Sequence, residues 1–181
     1  MSSILKVDQL QDSGGNNLVT SNGSGVITAA AFGKILQVVS VVDSTDVTVN
    51  NQTFTDTGLT ANITPSSTSS KVLITVNTAI LVSGSASAYA GIKLLRGSTD
   101  IFNPMATNAT GPFGHGFNSS AGALYGFHTM QFLDSPSSTS QQAYKTQFRN
   151  YSSSGSMYAQ VNAGSTSNDG KSVMTLMEVL A

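Results

Sequence analysis

Apolar residues along this chain fall in short runs of strand length, separated by clusters of Ser, Thr, Asn and Gly. Over Lys71–Val82 they alternate. Val72, Ile74, Val76, Ile80 and Val82 share one side, and Leu73, Thr75, Asn77 and Leu81 share the other. A period of two puts successive side chains on opposite faces of a strand. The same pattern predicts strands over 35–42, 57–63, 88–96, 99–102, 123–133, 142–148, 156–162 and 171–180. Turn clusters such as Ser135–Ser140 and Ser152–Ser156 punctuate them, and helical spacing is absent. The expected fold is an all-β sandwich or barrel. Nine strands are read in this way, and a further one is expected near Val47–Asn51 or Phe113–Phe117.

The first 34 residues follow a different plan. SILKVDQL alternates and ends at the turn cluster DSGGNN, and LVTSNGSG repeats the design. VITAAAFGK then reads as a short helix from Thr28 to Phe32 or as an extended linker. A segment this size cannot bury a core alone. The expected organisation is an anchoring segment and linker over 1–34 and a β-sandwich head over 35–181.

Several strands are apolar on both sides. In the last one, Val173, Met177 and Val179 lie on one face and Met174, Leu176 and Leu180 on the other. One face fills the core; the second needs a cover. Another copy of the chain in cyclic symmetry is the simplest cover, and a central strand buried on both sides within one subunit is the alternative. Met174, Leu176 and Leu180, with Tyr144 and Phe148, are the expected subunit-interface residues.

Composition sharpens this picture. Charged residues make up 9% of the chain, against about a quarter in ordinary domains. The net charge is −1 and the eight Lys and Arg residues are scattered, so no basic stripe exists to neutralise phosphates, and no nucleic-acid partner is expected. With no Cys, disulfides and thiolate metal sites are excluded. MSSILKVDQL lacks the apolar stretch of a signal peptide, and no run approaches the roughly 20 apolar residues of a membrane helix. Synthesis in a cytoplasm without membrane insertion is expected. Near-zero net charge weakens repulsion between copies and favours association.

Candidate chemistry is sparse. His115 and His128 are the only histidines; His128 reads as a half-buried structural residue in a strand, and neither has metal-ligand spacing. Asp43 and Asp46 share a loop and offer a hard cation two carboxylates, without a third partner. Asp134 ends its strand before Pro136, and Glu178, the single Glu, is expected in a salt bridge. G-x-S-x-G and Walker patterns are missing. The expectation is a binding or structural protein, not an enzyme, with no cofactor and no metal. The long uncharged stretch between Ile101 and Ala123 contains Asn103, Phe113, His115 and Phe117, the expected ligand-contact residues; subunit packing is the competing role for it.

SILKVDQLQDSGGNNLV resembles the N-terminal segment of tail-fibre-like proteins of tailed bacteriophages. GKILQVVS, ITPSSTSSKVLITVN, KLLRGSTDI, FLDSPSSTSQQAYKTQF and MTLMEVLA resemble the head that follows it in such proteins. The resemblance implies a jelly-roll head similar to tumour necrosis factor and complement-type trimers, and a homotrimer. It implies an N-terminal segment joined to other virion proteins of tail, baseplate or capsid, with Ile4, Leu5, Val7, Leu10, Leu18 and Val19 as anchor residues. It carries over no catalytic residue. The function it implies is a virion structural protein made in the host bacterial cytoplasm. It would be a short tail fibre or spike that can contact a host surface glycan; the alternative is a capsid decoration protein of the same fold. A polysaccharide-degrading tip is the least favoured class.

Overall fold

The computed structural model describes residues 7–24, 27–29, 35–84, 88–104, 115–117, 122–151, 158–163 and 170–180, with the backbone alone at 27–29, 88, 115–117 and 158. The chain divides into two compact units, residues 1–34 and 35–179. In the first, β1 (Gln9–Gln11), β2 (Asn17–Ser21) and β3 (Ile27–Ala29) form an antiparallel meander. Asp12 builds the first turn. Its carboxylate accepts the amides of Gly14 at 2.8 Å and Asn16 at 2.9 Å. Gly15 takes a φ of 79°, which side chains with a Cβ rarely adopt. Thr28 and Ala29, expected in a short helix or an extended linker, lie in β3; residues 30–34 lie outside the described residues. Of the expected anchor residues, Val7 and Leu10 are exposed and Leu18 and Val19 half-buried, while Ile4 and Leu5 lie outside the described residues.

The second unit contains β4 (Ile35–Asp43), β5 (Val47–Val49), β6 (Thr55–Ile63), β7 (Lys71–Gly84), β8 (Ala88–Arg96), β9 (Thr99–Phe102), β10 (His115–Phe117), β11 (Gly122–Asp134), β12 (Gln142–Asn150), β13 (Tyr158–Val161) and β14 (Ser172–Val179). One sheet runs β4-β14-β7-β11, and the other runs β6-β12-β8 with β9 and β10 beyond β8. Three of the strands are interrupted. Both β13 and β14 pair with β7, opposite Ile80–Ser83 and Lys71–Asn77 in turn. β5 and β4 continue one another against them, and β10 and β9 do so against β8. Joining the halves gives two four-stranded antiparallel sheets with the first and last strands adjacent, which is the jelly-roll arrangement. The two places where a further strand was expected are both strands, each one half of an interrupted ladder strand.

The core lies between the sheets. Leu59, Ile63, Ile74, Val76, Ile92, Leu94, Tyr144, Phe148, Met174 and Leu176 are buried there. The stacked rings of Phe102 and Phe132, 5.6 Å apart, pack at its margin between β9 and β11. This corrects the expected interface set. Tyr144 and Phe148 are core residues because β12 alternates them with Lys145, Gln147 and Arg149, whose polar groups must reach water. Met174 and Leu176 are core residues because they stand opposite Val76 and Ile74 of β7. Leu180 follows β14 and is half-buried.

Candidate assembly surface

With one side of each sheet in the core, the outward sides differ. On the β4-β14-β7-β11 sheet the register lines up side chains in rows across all four strands. Val38, Met177, Leu73 and Leu133 form one apolar row. The next row is Ser40, Thr175, Thr75 and Gln131, all polar and uncharged; the hydroxyls of Ser40 and Thr175 lie 3.3 Å apart. Val42, Val173, Asn77 and Thr129 follow, and the Thr129 hydroxyl donates to the Asn77 side-chain Oδ1 at 3.0 Å. The charged side chains of this side lie outside the three rows: Lys71 at the rim, opposite Val179, and the exposed Lys171 just before β14.

The exposed large hydrophobics of the head, among the described residues, all belong to β4 and β11, the two edges of this sheet. Val38 is 57% exposed and Leu133 49%. On β11, Tyr125 and Phe127 are 69% and 64% exposed. They stand opposite Leu81 and Ala79 of β7. Together with the ends of the β13–β14 connection they frame a cleft of about 300 Å³. Ala163 and Gly170 form its third side, and the backbone amide of Asn162 donates to the Ala79 carbonyl at 2.9 Å.

The outward side of the other sheet is charged. Lys145 and Gln147 converge on Asp56 at 3.0 and 2.7 Å, and Lys93 pairs with Asp100 at 2.8 Å. Lys93 and Arg149 lie 4.5 and 4.7 Å from the centre of the Phe54 ring.

Buried polar groups serve the fold. Asp134, at the end of β11, accepts from Arg96 at 2.5 Å and from the Tyr144 hydroxyl at 2.7 Å. Burial first, and then this carboxylate, push the Tyr144 phenol well above its ordinary pKa. Glu178, expected in a salt bridge, makes none among the described residues. Its carboxylate is fully buried and accepts the Ser66 amide and hydroxyl at 2.6 and 2.7 Å and the Gln37 amide at 2.6 Å. Burial alone would raise its pKa, but the hydrogen bonds from Ser66 and Gln37 outweigh it and bring it down to about 2. Asp43 accepts from Asn162 at 2.8 Å and sits against Gly58, whose φ of 93° would strain any other residue and whose added Cβ would come within 3.2 Å of the Asp43 carboxylate. Asp46 is exposed. Among the described residues no three His, Asp or Glu side chains gather into a metal-binding group.

The expected ligand-contact residues are not assembled into a described site. Asn103 is half-buried at the end of β9, His115 and Phe117 are described by the backbone of β10 only, and Phe113 lies outside the described residues. The outward set Val38, Val42, Leu73, Tyr125, Phe127 and Leu133 was missed. The available signal was the shared parity of Val38 and Val42 with Ser40, and of Leu73 with Thr75 and Asn77.

No protein-family model matches this chain, and no curated protein matches it in sequence. Solved structures do. A chain of the infectious bursal disease virus T13 particle is 10% identical with a TM-score of 0.41, covering 89% of this chain and 39% of that one. A chain of the Gx strain of the same virus is 12% identical with a TM-score of 0.43, over 87% and 41%. The VP2 subviral particle chain of infectious bursal disease virus is 11% identical with a TM-score of 0.41, over 88% and 42%. This chain thus spans about two fifths of the length of the solved chains it matches. The jelly-roll assignment rests on the strand order itself.

Proposed function

We propose that this chain is a structural subunit of a virion: a short homotrimeric tail fibre or spike of a tailed bacteriophage. Residues 1–34 join it to the particle and the jelly-roll head faces outward. The observation that carries the reading is the charge-poor outer face of the β4-β14-β7-β11 sheet, with large hydrophobics left exposed along both edges. An apolar row that crosses all four strands, with large side chains exposed at both of its ends, is the kind of surface that marks association, and other copies of the subunit would cover it. The N-terminal and head segments that resemble phage fibre proteins supply the setting. The head works by binding and not by catalysis. Its weak uncharged contacts with a host surface glycan are multiplied by threefold avidity.

Sedimentation equilibrium at micromolar concentration tests the assembly. A particle of three times the 18.7 kDa chain mass is expected, and a stable monomer overturns the reading. Labelled antibody imaging on intact phage tests the placement. Signal at the tail is expected; signal over the capsid reassigns the protein as a decoration subunit. Incubation with host surface polysaccharide is expected to leave the polymer length unchanged.

A further inference from the structure

The Tyr125–Phe127 cleft lies on the same charge-poor outer face as the apolar row, beside the edge strand β11. Its floor is Ala79 and Ile80, and its third side is Ala163 and Gly170. Among these side chains only the Tyr125 hydroxyl can form a hydrogen bond. A small polar ligand needs several convergent polar groups to fix its orientation, and this cleft does not supply them. Its walls suit an apolar side chain instead.

Charge points to whose side chain it is. Two copies that meet near a symmetry axis present like surfaces to one another, so any charge there faces its own kind. The outer face of the other sheet carries Asp56, Lys93, Asp100, Lys145 and Arg149. The side continuous with the cleft carries two lysines, Lys71 at its rim and Lys171 beside Gly170, and no ion pair among the described residues. Exposed aromatics beside an apolar hollow are also the residue types that dominate contact energy. We infer that the cleft, with Tyr125 and Phe127, is the anchor of the contact between copies of this chain, and that a neighbouring copy seats an apolar side chain in it. The inference rests on the self-assembling reading above and names the centre of that interface.

The chain contains no Trp, so a Tyr125→Trp variant gives a single fluorescent reporter at the cleft. Its emission is expected to shift to the blue as concentration drives assembly, in step with the mass from sedimentation. Phe127→Glu, at an exposed position that leaves the fold intact by circular dichroism, is expected to raise the dissociation constant roughly thirtyfold or more. If the protein is oligomeric while the introduced indole stays in water and Phe127→Glu assembles normally, the cleft is not the anchor, although the assembly reading stands. If the unsubstituted chain is a monomer throughout, both fall. A blue shift produced only by added host polysaccharide, at constant mass, makes the cleft a ligand site and overturns the inference.

Discussion

The two outward faces of the sandwich share one core and one kind of backbone, yet they are chemically opposite. The β6-β12-β8 face holds ion pairs and cations over an aromatic ring, so it is finished as it stands in water. The β4-β14-β7-β11 face holds rows of aliphatic and hydroxyl side chains and leaves its edge hydrophobics uncovered. The low overall charge of the chain is therefore a local property. Most charged residues described on the sheets serve one face or a buried pair, and the other face is left nearly free of them. What distinguishes the two surfaces is how the few charges are distributed, since hydroxyl groups occur on both.

The largest effect expected separates the core from both faces. Phe148→Ala empties a fully buried site and is expected to cost about 4 kcal/mol, read as a fall in urea midpoint that does not depend on protein concentration. A loss that appears only on dilution would return Phe148 to an interface. Next, Val38→Glu combined with Met177→Glu places two carboxylates in the apolar row. It is expected to weaken assembly by about 3 kcal/mol, measured by sedimentation, because each charge would have to be desolvated in the contact.

A smaller effect concerns Glu178, which ties β14 to β4 and to the Ser66 turn. Its carboxyl titrates near 2 in the fold against an ordinary 4.5. The stability it contributes is thus fully present above about pH 4.5 and is lost as pH falls toward 2. Urea midpoints at pH 7, 4 and 2.5 should decline across that window in the unsubstituted protein and decline less in Glu178→Gln. The smallest effect is expected on the charged face. Lys93→Met with Arg149→Met should leave the sedimented mass unchanged and alter stability by less than about 1 kcal/mol. Dissociation of that variant would mean that the two faces have been assigned the wrong way round.

Much of the fold was legible in the sequence. Alternation placed the long strands, and turn clusters separated them. Two three-residue strands, 47–49 and 115–117, were legible only as places where a strand was missing, because each is the short half of an interrupted ladder strand and too brief to show a period. The side chosen as the interface was the wrong one. In β14 both parities are apolar, Met174 and Leu176 on one side and Val173 and Met177 on the other, so hydrophobicity does not choose between them. Glu178 shares the buried parity and misleads, because a lone carboxylate reads as solvent-facing until its Ser66 and Gln37 donors are seen. For β12 the signal was present. Lys145, Gln147 and Arg149 occupy one side, which leaves Tyr144 and Phe148 for the core. The cleft was not legible, because Ala79, Tyr125 and Gly170 meet only through tertiary pairing.

Adjacency of the first and last head strands also has a mechanical side. Ile35 and Val179 are register partners, so the chain enters and leaves the head at the same point, on two antiparallel neighbours. Tension applied between those two ends would peel the β4–β14 bonds apart one after another, at low force. Tension applied between Ile35 and the far end of the sandwich would load the same bonds together along their length, and a ladder pulled in shear resists far more. A head held through its N-terminal side and tugged from its distal loops is therefore pulled along its strong direction.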